Sequence, residues 1–183
     1  MTTHTSVATL HTNHGAIKVN LFGLHAPKTV ENFEGLATGA IEWKDPRTGA
    51  THTGKPLYDG VIFHRVIEGF MAQTGDVANG NMEKDFNLRR AGTGGSEHPD
   101  LPAEFSGIPH DRGTIGAARS QNPNSANSQF FINFKDNHFL NRQYTVYGRV
   151  ISGMEHVDAI VRGEPPANPD RMITVRVAAD VQA

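Results

Sequence analysis

Two stretches carry polar side chains where a plain buried strand has no use for them: Val61–Asp76, VIFHRVIEGFMAQTGD, and Ser128–Phe134, SQFFINF. Side chains alternate between the two faces of an extended strand. Val61, Phe63, Arg65 and Ile67 therefore share one side of the first stretch, and Ile62, His64 and Val66 the other. In the second, Gln129, Phe131 and Asn133 stand opposite Phe130, Ile132 and Phe134. A sheet that buries an oily face and shows water a patch of Arg, Gln and Phe has a surface suited to gripping a partly apolar ligand. The plainer explanation of Arg65 alone is a solvated strand residue. His64, on the same face as Ile62 and Val66, is expected as a hydrogen-bonded core histidine rather than a general base.

The elements that must position these residues follow from the rest of the chain. Val7–Leu10 and Ala16–Leu21 are short strand patterns joined by Thr12-Asn13-His14-Gly15, where Asn and Gly tolerate a tight hairpin. Between Ala26 and Gly39, proline near the start and glycine past the end frame an amphipathic helix with Val30, Phe33, Leu36 and Ala37 on its inner face. Trp43–Leu57 lacks a sustained period and is expected as a loop, as is Val77–Pro102. Ala103–Phe105, Gly113–Ala118, Tyr144–Ile151 and Ile173–Ala179 are further strand candidates. The small residues Gly116, Ala117 and Ala118 suggest a close approach by a foreign backbone. Met154–Val161 has the pattern of a second helix, ended by Gly163. Many short strands, two distant helices and no βαβ alternation predict a mainly β antiparallel barrel or sandwich with helical lids, as one domain spanning residues 1–183.

Composition narrows the chemistry. With 183 residues, 37% of them hydrophobic, and a formal charge of −2, the chain is built for a single core and not for a polyanion, so no nucleic-acid partner is expected. It has no cysteine, which excludes disulfides, thiolate catalysis and thiolate-bound zinc. Its ten histidines are scattered without the i, i+4 pair of a zinc hydrolase, so neither a metal nor another cofactor is expected. No serine sits in a Gly-x-Ser-x-Gly elbow. Gly92-Thr93-Gly94-Gly95 lacks the Gly-Lys-Ser/Thr of a phosphate loop. Arg89-Arg90 is too short for a basic patch. The first residues lack an apolar leader and no run reaches the length of a membrane span, from which a cytoplasmic protein is expected. Without a surplus apolar stripe, a monomer is expected.

The run Phe63-His64-Arg65-Val66-Ile67, then Gly69-Phe70-Met71, Gln73 and Gly75-Asp76, with Ser128-Gln129-Phe130-Phe131-Ile132 further on, resembles the cyclophilins, the peptidyl-prolyl cis-trans isomerases, in their bacterial branch. The likeness extends from the first hairpin to the last strand. It implies a cyclophilin-like closed eight-stranded antiparallel β-barrel capped by two α-helices, with a filled interior and a ligand on the outer wall. It also implies rotation about Xaa-Pro bonds in proline-containing peptides and in unfolded or folding proteins. The barrier, about 20 kcal/mol, comes from amide resonance, so a catalyst needs only to favour the twisted amide, whose nitrogen has regained a lone pair.

On the resemblance, Arg65 is the catalytic residue. Phe70, Met71, Phe131 and Leu140 form the proline pocket, Gln73 orients the arginine or a peptide carbonyl, and Gln129 lies in the groove. Gly92 belongs to a Gly-rich segment bordering that groove. Ala118 and Arg119 present backbone to the substrate, where the family pattern has Ala-Asn; the loop after Arg119 differs by one residue, so Ser120 and Gln121 are not carried over onto family positions. Where many eukaryotic members carry Trp-Leu and a later His, this chain has Phe139-Leu140 and Tyr144. Phenylalanine lacks the indole donor, so weak affinity for the inhibitor cyclosporin is expected, while Tyr144 still walls the pocket. A binding module that holds proline segments without turning them over would use the same groove, although it would gain little from Arg65. A general chaperone finds no long apolar stretch to support it.

Overall fold

A computed structural model describes residues 5–40, 43–44, 51–52, 56–81, 88–96 and 98–179. The N-terminal four residues, most of the expected 43–57 loop and part of the expected 77–102 loop lie outside them.

The opening hairpin, β1 (Thr5–Thr12) and β2 (Gly15–Phe22), pairs in register around the Asn13-His14 turn. Helix α1 (Pro27–Thr38) begins on its proline and ends on Gly39 at φ 81°, a left-handed cap that glycine adopts without strain. Its N-cap residue, Ala26, makes no side-chain cap. The free N–H groups go instead to Glu104: Thr29 N–H to Oε1 at 2.7 Å and Lys28 N–H to Oε2 at 3.1 Å. This explains why 103–105 is not the strand its pattern predicts; the segment is irregular and caps a helix.

Two short strands, β3 (Trp43–Lys44) and β4 (Thr51–His52), pair with each other. The central hairpin is β5 (Phe63–Ile67) and β6 (Met71–Thr74), and the later strands are β7 (Thr114–Ala117), β8 (Phe130–Asn133), β9 (Val146–Ser152) and β10 (Met172–Ala179). A 3-10 turn at His138–Leu140 lies between β8 and β9, and helix α2 (Met154–Asp158) follows β9. α2 is shorter than the expected 154–161 and ends well before Gly163; Val157 and Ile160 are fully buried, but Val161, on the same pattern, is exposed.

All ladders are antiparallel, in the order β10-β1-β2-β9-β7-β8-β6-β5. The result is a curled, open eight-stranded sheet with two helices, not the closed barrel expected: β10 and β5 stand at its two ends and share no ladder. The two strands meet only where they begin, with Gly60 N–H bonded to Met172 O at 2.7 Å, Met172 N–H to Val61 O at 2.9 Å and Phe63 N–H to Asp170 O at 2.9 Å. Asp170 also fastens this end to the first hairpin, accepting from Asn13 Nδ2 at 2.6 Å and lying 2.8 Å from His14 Nε2.

The concave side holds the main core, which takes Val30, Phe33 and Leu36 from α1, Val157 from α2, Phe63, Phe130 and Ile132 from the sheet, and Phe134 just past β8. Tyr58 stacks on Phe33 with ring centroids 5.2 Å apart, and its hydroxyl donates to Ser128 O at 2.8 Å. A second, smaller cluster of Met71, Ala118, Phe131 and Leu140 lies apart from it. Among the described residues, no helix is long and apolar enough to cross a membrane.

Candidate functional site

The second cluster exists because of strand alternation. Along β8, Phe130 and Ile132 enter the main core, while Phe131 turns to the other face, as its sequence pattern predicts. Pairing then fixes its neighbours: β6 sets Gln73 beside Phe131 and Met71 beside Asn133, β5 sets Arg65 opposite Gln73, and β7 sets Gly116 opposite Phe131. Arg65, Gln73, Phe131 and Gly116 thus form one row across four strands. Phe131 lies flat over Gly116, where an added Cβ would come within 2.8 Å of both ring Cε atoms. The small residue therefore accommodates the protein's own ring and not a foreign backbone.

Strict alternation fails along β5. The register shifts between Phe63 and Arg65, a bulge that consumes one extra residue. Val61, Phe63 and Val66 all reach the main core, whereas Arg65 emerges on the outside. His64 is corrected by the same feature. Although buried, it does not join Ile62 and Val66 in the interior but lines a cavity with Arg65, Gln73, Gly92 and Glu164. Burial pushes its pKa down, partly offset by the charge of Asp76, so the ring is neutral at neutral pH.

A slot of about 70 Å³ opens on the outer wall, lined by Arg65, Phe70, Met71, Gln73, Ala118, Arg119, Phe131, Leu140 and Tyr144. Met71, Phe131 and Leu140 are its buried apolar floor. Tyr144 meets Phe131 edge-on at 5.8 Å. Phe139 stands outside it on the rim, 70% exposed and stacked on Phe70 at 5.7 Å. Gly92 and Gln129 line an adjoining polar cavity of about 400 Å³, which shares Gln73, Ala118 and Arg119 with the slot. The residues expected from sequence are thus brought to one wall in two neighbouring depressions.

Two cations border the slot, and their hydrogen bonds separate them. Arg119 lies 4.3 Å over the Tyr144 ring and spends its donors on backbone carbonyls, Nη2 on Gln143 O at 2.6 Å and Nη1 on Ser120 O at 2.9 Å. Its neighbour Ala118, which also lines the slot, donates its N–H to Gln129 O at 3.0 Å. Arg65 gives Nε to Glu164 Oε1 at 3.1 Å and Nη1 to Gln73 Oε1 at 3.4 Å, while Nη2 makes no hydrogen bond among the described residues. Gln73 in turn donates to Gln129 Oε1 at 2.9 Å, and Gln129 to Gly92 O and Gly94 O at 3.0 and 2.8 Å. The guanidinium is therefore oriented from both sides.

Several supporting residues escaped sequence reasoning. Asp76, fully buried, accepts the N–H groups of Gly92 at 2.7 Å and Gly94 at 3.0 Å, which pins the Gly-rich segment from below. Gly92 sits at φ 96° against the His64 ring, with no room for a side chain. Glu164 comes from ninety-nine residues away in sequence, and no local pattern announces it. For a metal, the described residues offer one cluster, Asp111, Asp136 and His138, with donor atoms within 4.8 Å of one another and all exposed. There His138 Nε2 lies 2.7 Å from Asp111 Oδ1, a hydrogen bond that raises the imidazole pKa.

The family model for cyclophilin type peptidyl-prolyl cis-trans isomerase/CLD matches residues 7–178. A Brucella abortus protein named "Probable peptidyl-prolyl cis-trans isomerase" is 62% identical over 130 residues, which span 68% of this chain and 66% of that protein's length. "Peptidyl-prolyl cis-trans isomerase A" of Mycobacterium tuberculosis is 40% identical over 147 residues, 80% of this chain and 74% of that protein. A Cryptosporidium parvum cyclophilin type peptidyl-prolyl cis-trans isomerase, crystallised in the presence of the dipeptide Ala-Pro, superposes with a TM-score of 0.74 at 25% identity, over 95% of this chain and 99% of that one. With the family pattern running through nearly every strand, and its residues gathered on one wall, the chain belongs to the cyclophilin-type peptidyl-prolyl cis-trans isomerases.

Proposed function

We propose that the chain catalyses rotation about Xaa-Pro bonds, with Arg65 as the electrostatic catalyst and the slot of Phe70, Met71, Phe131 and Leu140 as the seat of the proline ring. The observation that carries this is the shared cavity: a cation whose Nη2 makes no hydrogen bond among the described residues lines the same slot as the apolar floor. The Ala-Pro dipeptide named with the Cryptosporidium relative supports proline-containing peptides as the substrate class.

Planar cis and trans amides delocalise the nitrogen lone pair; the twisted amide has it back and accepts a hydrogen bond there. A guanidinium held by Glu164 and Gln73 at the edge of the slot binds the twisted form better than either planar one, which is what lowers a barrier. The floor holds the ring while the preceding carbonyl swings, and no bond breaks. On the same reading, the core packed against the inner face of the curled sheet leaves the outer wall to the ligand.

The direct test is exchange NMR on a short Xaa-Pro peptide. Cis–trans exchange well above the uncatalysed rate is expected, and exchange no faster than in buffer retires the proposal. Cyclosporin is expected to bind weakly, because the exposed Phe139 offers a ring without a donor. Titration into the isomerase assay checks this, and nanomolar inhibition contradicts it.

A further inference from the structure

Behind the slot lies a fully buried imidazole that the mechanism leaves unused, His110. Its ring is nearly parallel to Phe131, with centroids 5.9 Å apart and planes inclined by 14°. Its Nε2 lies 3.1 Å from Tyr144 O, and its Nδ1 lies 3.3 Å from Asn133 Nδ2. A carbonyl oxygen only accepts and an amide nitrogen only donates. Together the two contacts select one state of the ring: neutral, with the proton on Nε2 and the lone pair on Nδ1. Burial, which holds its pKa below the ordinary value, agrees with that state.

The surrounding groups leave little freedom to depart from it. Asn133 Nδ2 donates also to Thr114 Oγ1 at 2.8 Å, and its Oδ1 accepts from Asn137 Nδ2 at 2.9 Å. Asn137 Nδ2 donates also to Phe70 O at 2.9 Å. The main chain of His110 completes the frame, its N–H bonded to Asn141 Oδ1 at 2.7 Å and its carbonyl accepting from Asn137 N–H at 2.8 Å. Four exits of this network meet walls of the slot. Phe131 is reached by stacking, Tyr144 and Phe70 through their carbonyls, and Leu140 through the turn in which its N–H bonds to Asn137 O at 3.0 Å.

We infer that His110 is a positioning residue for the proline slot: by bonding Tyr144 and Asn133 while stacking on Phe131, it sets the spacing of the slot walls before a proline ring arrives. This rests on the slot being the seat of that ring, as proposed above. A preformed seat holds planar and twisted amides alike, so its loss raises KM and spares kcat, the reverse of the effect expected for a group that acts on the twisted nitrogen alone.

His110→Phe keeps an aromatic ring against Phe131 and deletes both hydrogen bonds. In exchange kinetics on an Xaa-Pro peptide, KM is expected to rise at least about fivefold with kcat within about twofold of wild type. His110→Gln, able to donate to the Tyr144 carbonyl, recovers most of that loss. An unchanged KM with a smaller apparent kcat, the mark of lost folded protein alone, overturns the inference. Should His110→Phe not fold, the wild-type chain supplies the test: side-chain 15N spectra at neutral pH are expected to show the Nε2–H tautomer, and an Nδ1–H or charged ring overturns it. A wild-type chain that shows this tautomer but no turnover defeats the slot assignment, and the inference with it. A chain that turns over normally with the other tautomer defeats the role of His110 alone.

Discussion

Arg65→Ala removes the slot cation that Glu164 and Gln73 orient and whose Nη2 makes no hydrogen bond among the described residues. A charged donor aimed at a developing lone pair in a dry site is worth about 3 kcal/mol. The Arg65 side chain is 45% exposed, so water screens part of that. A discounted range of about 1.4–3 kcal/mol corresponds to a loss of roughly tenfold to 150-fold in kcat/KM. The cost to the fold is far smaller, because the lost pair with Glu164 is itself 57% exposed on the partner's side and such pairs contribute about 0–1 kcal/mol. Turnover and stability should therefore separate: a protease-free isomerisation assay or exchange NMR reads the first, and thermal unfolding the second. Arg65→Lys keeps the charge without the planar fork held by Glu164 and Gln73, and should recover only part of the rate. A folded Arg65→Ala chain with wild-type kcat/KM refutes the reasoning, because Arg119, the other cation lining the slot, already bonds backbone carbonyls through all three of its nitrogens.

Three further outcomes follow from the geometry. Leu140→Ala, at a buried site on the slot floor, should cost about 2–5 kcal/mol in urea unfolding and raise KM more than it lowers kcat; equal kinetics in the folded chain argues against the floor. Gly116→Ala forces the Phe131 ring off its resting place and into the slot, so kcat/KM should fall together with about 1–3 kcal/mol of stability, and a shift of the Phe131 ring protons reports the displacement. Acid should destabilise the fold through His64 and His110, both lowered chiefly by burial. Above the unfolded value of about 6.5 neither ring contributes, and below it the unfolded chain takes up protons that the folded chain refuses. Urea midpoints should thus fall between pH 7.5 and 5, opposed only weakly by the exposed His138, whose raised pKa acts in the other direction; a flat profile contradicts the burial argument.

What could be read without coordinates was whatever local periodicity and residue-specific spacing encode. The first hairpin, the helix from its proline to its glycine cap, and the two faces of β8 are all local matters: alternation and capping act within a few residues. The wall residues were legible because Phe63–Asp76 and Ser128–Ile132 carry a long pattern, even though 54 residues separate Arg65 of β5 from Arg119 at the far edge of the same slot.

Other features depend on partners that only folding brings together. The bulge in β5 moves His64 from the expected interior to the outer wall, because the ladder with β6, not the intrinsic alternation of β5, sets which way each side chain points. Glu104 caps a helix 75 residues earlier, so its segment could not also be a strand. Glu164 reaches Arg65, Asp76 holds Gly92, and Asn133 meets His110 across gaps in sequence that no periodic signal spans. Side-chain hydrogen bonds of this kind are satisfied by position in space, and so their donors and acceptors become identifiable only when the chain is curled around its core.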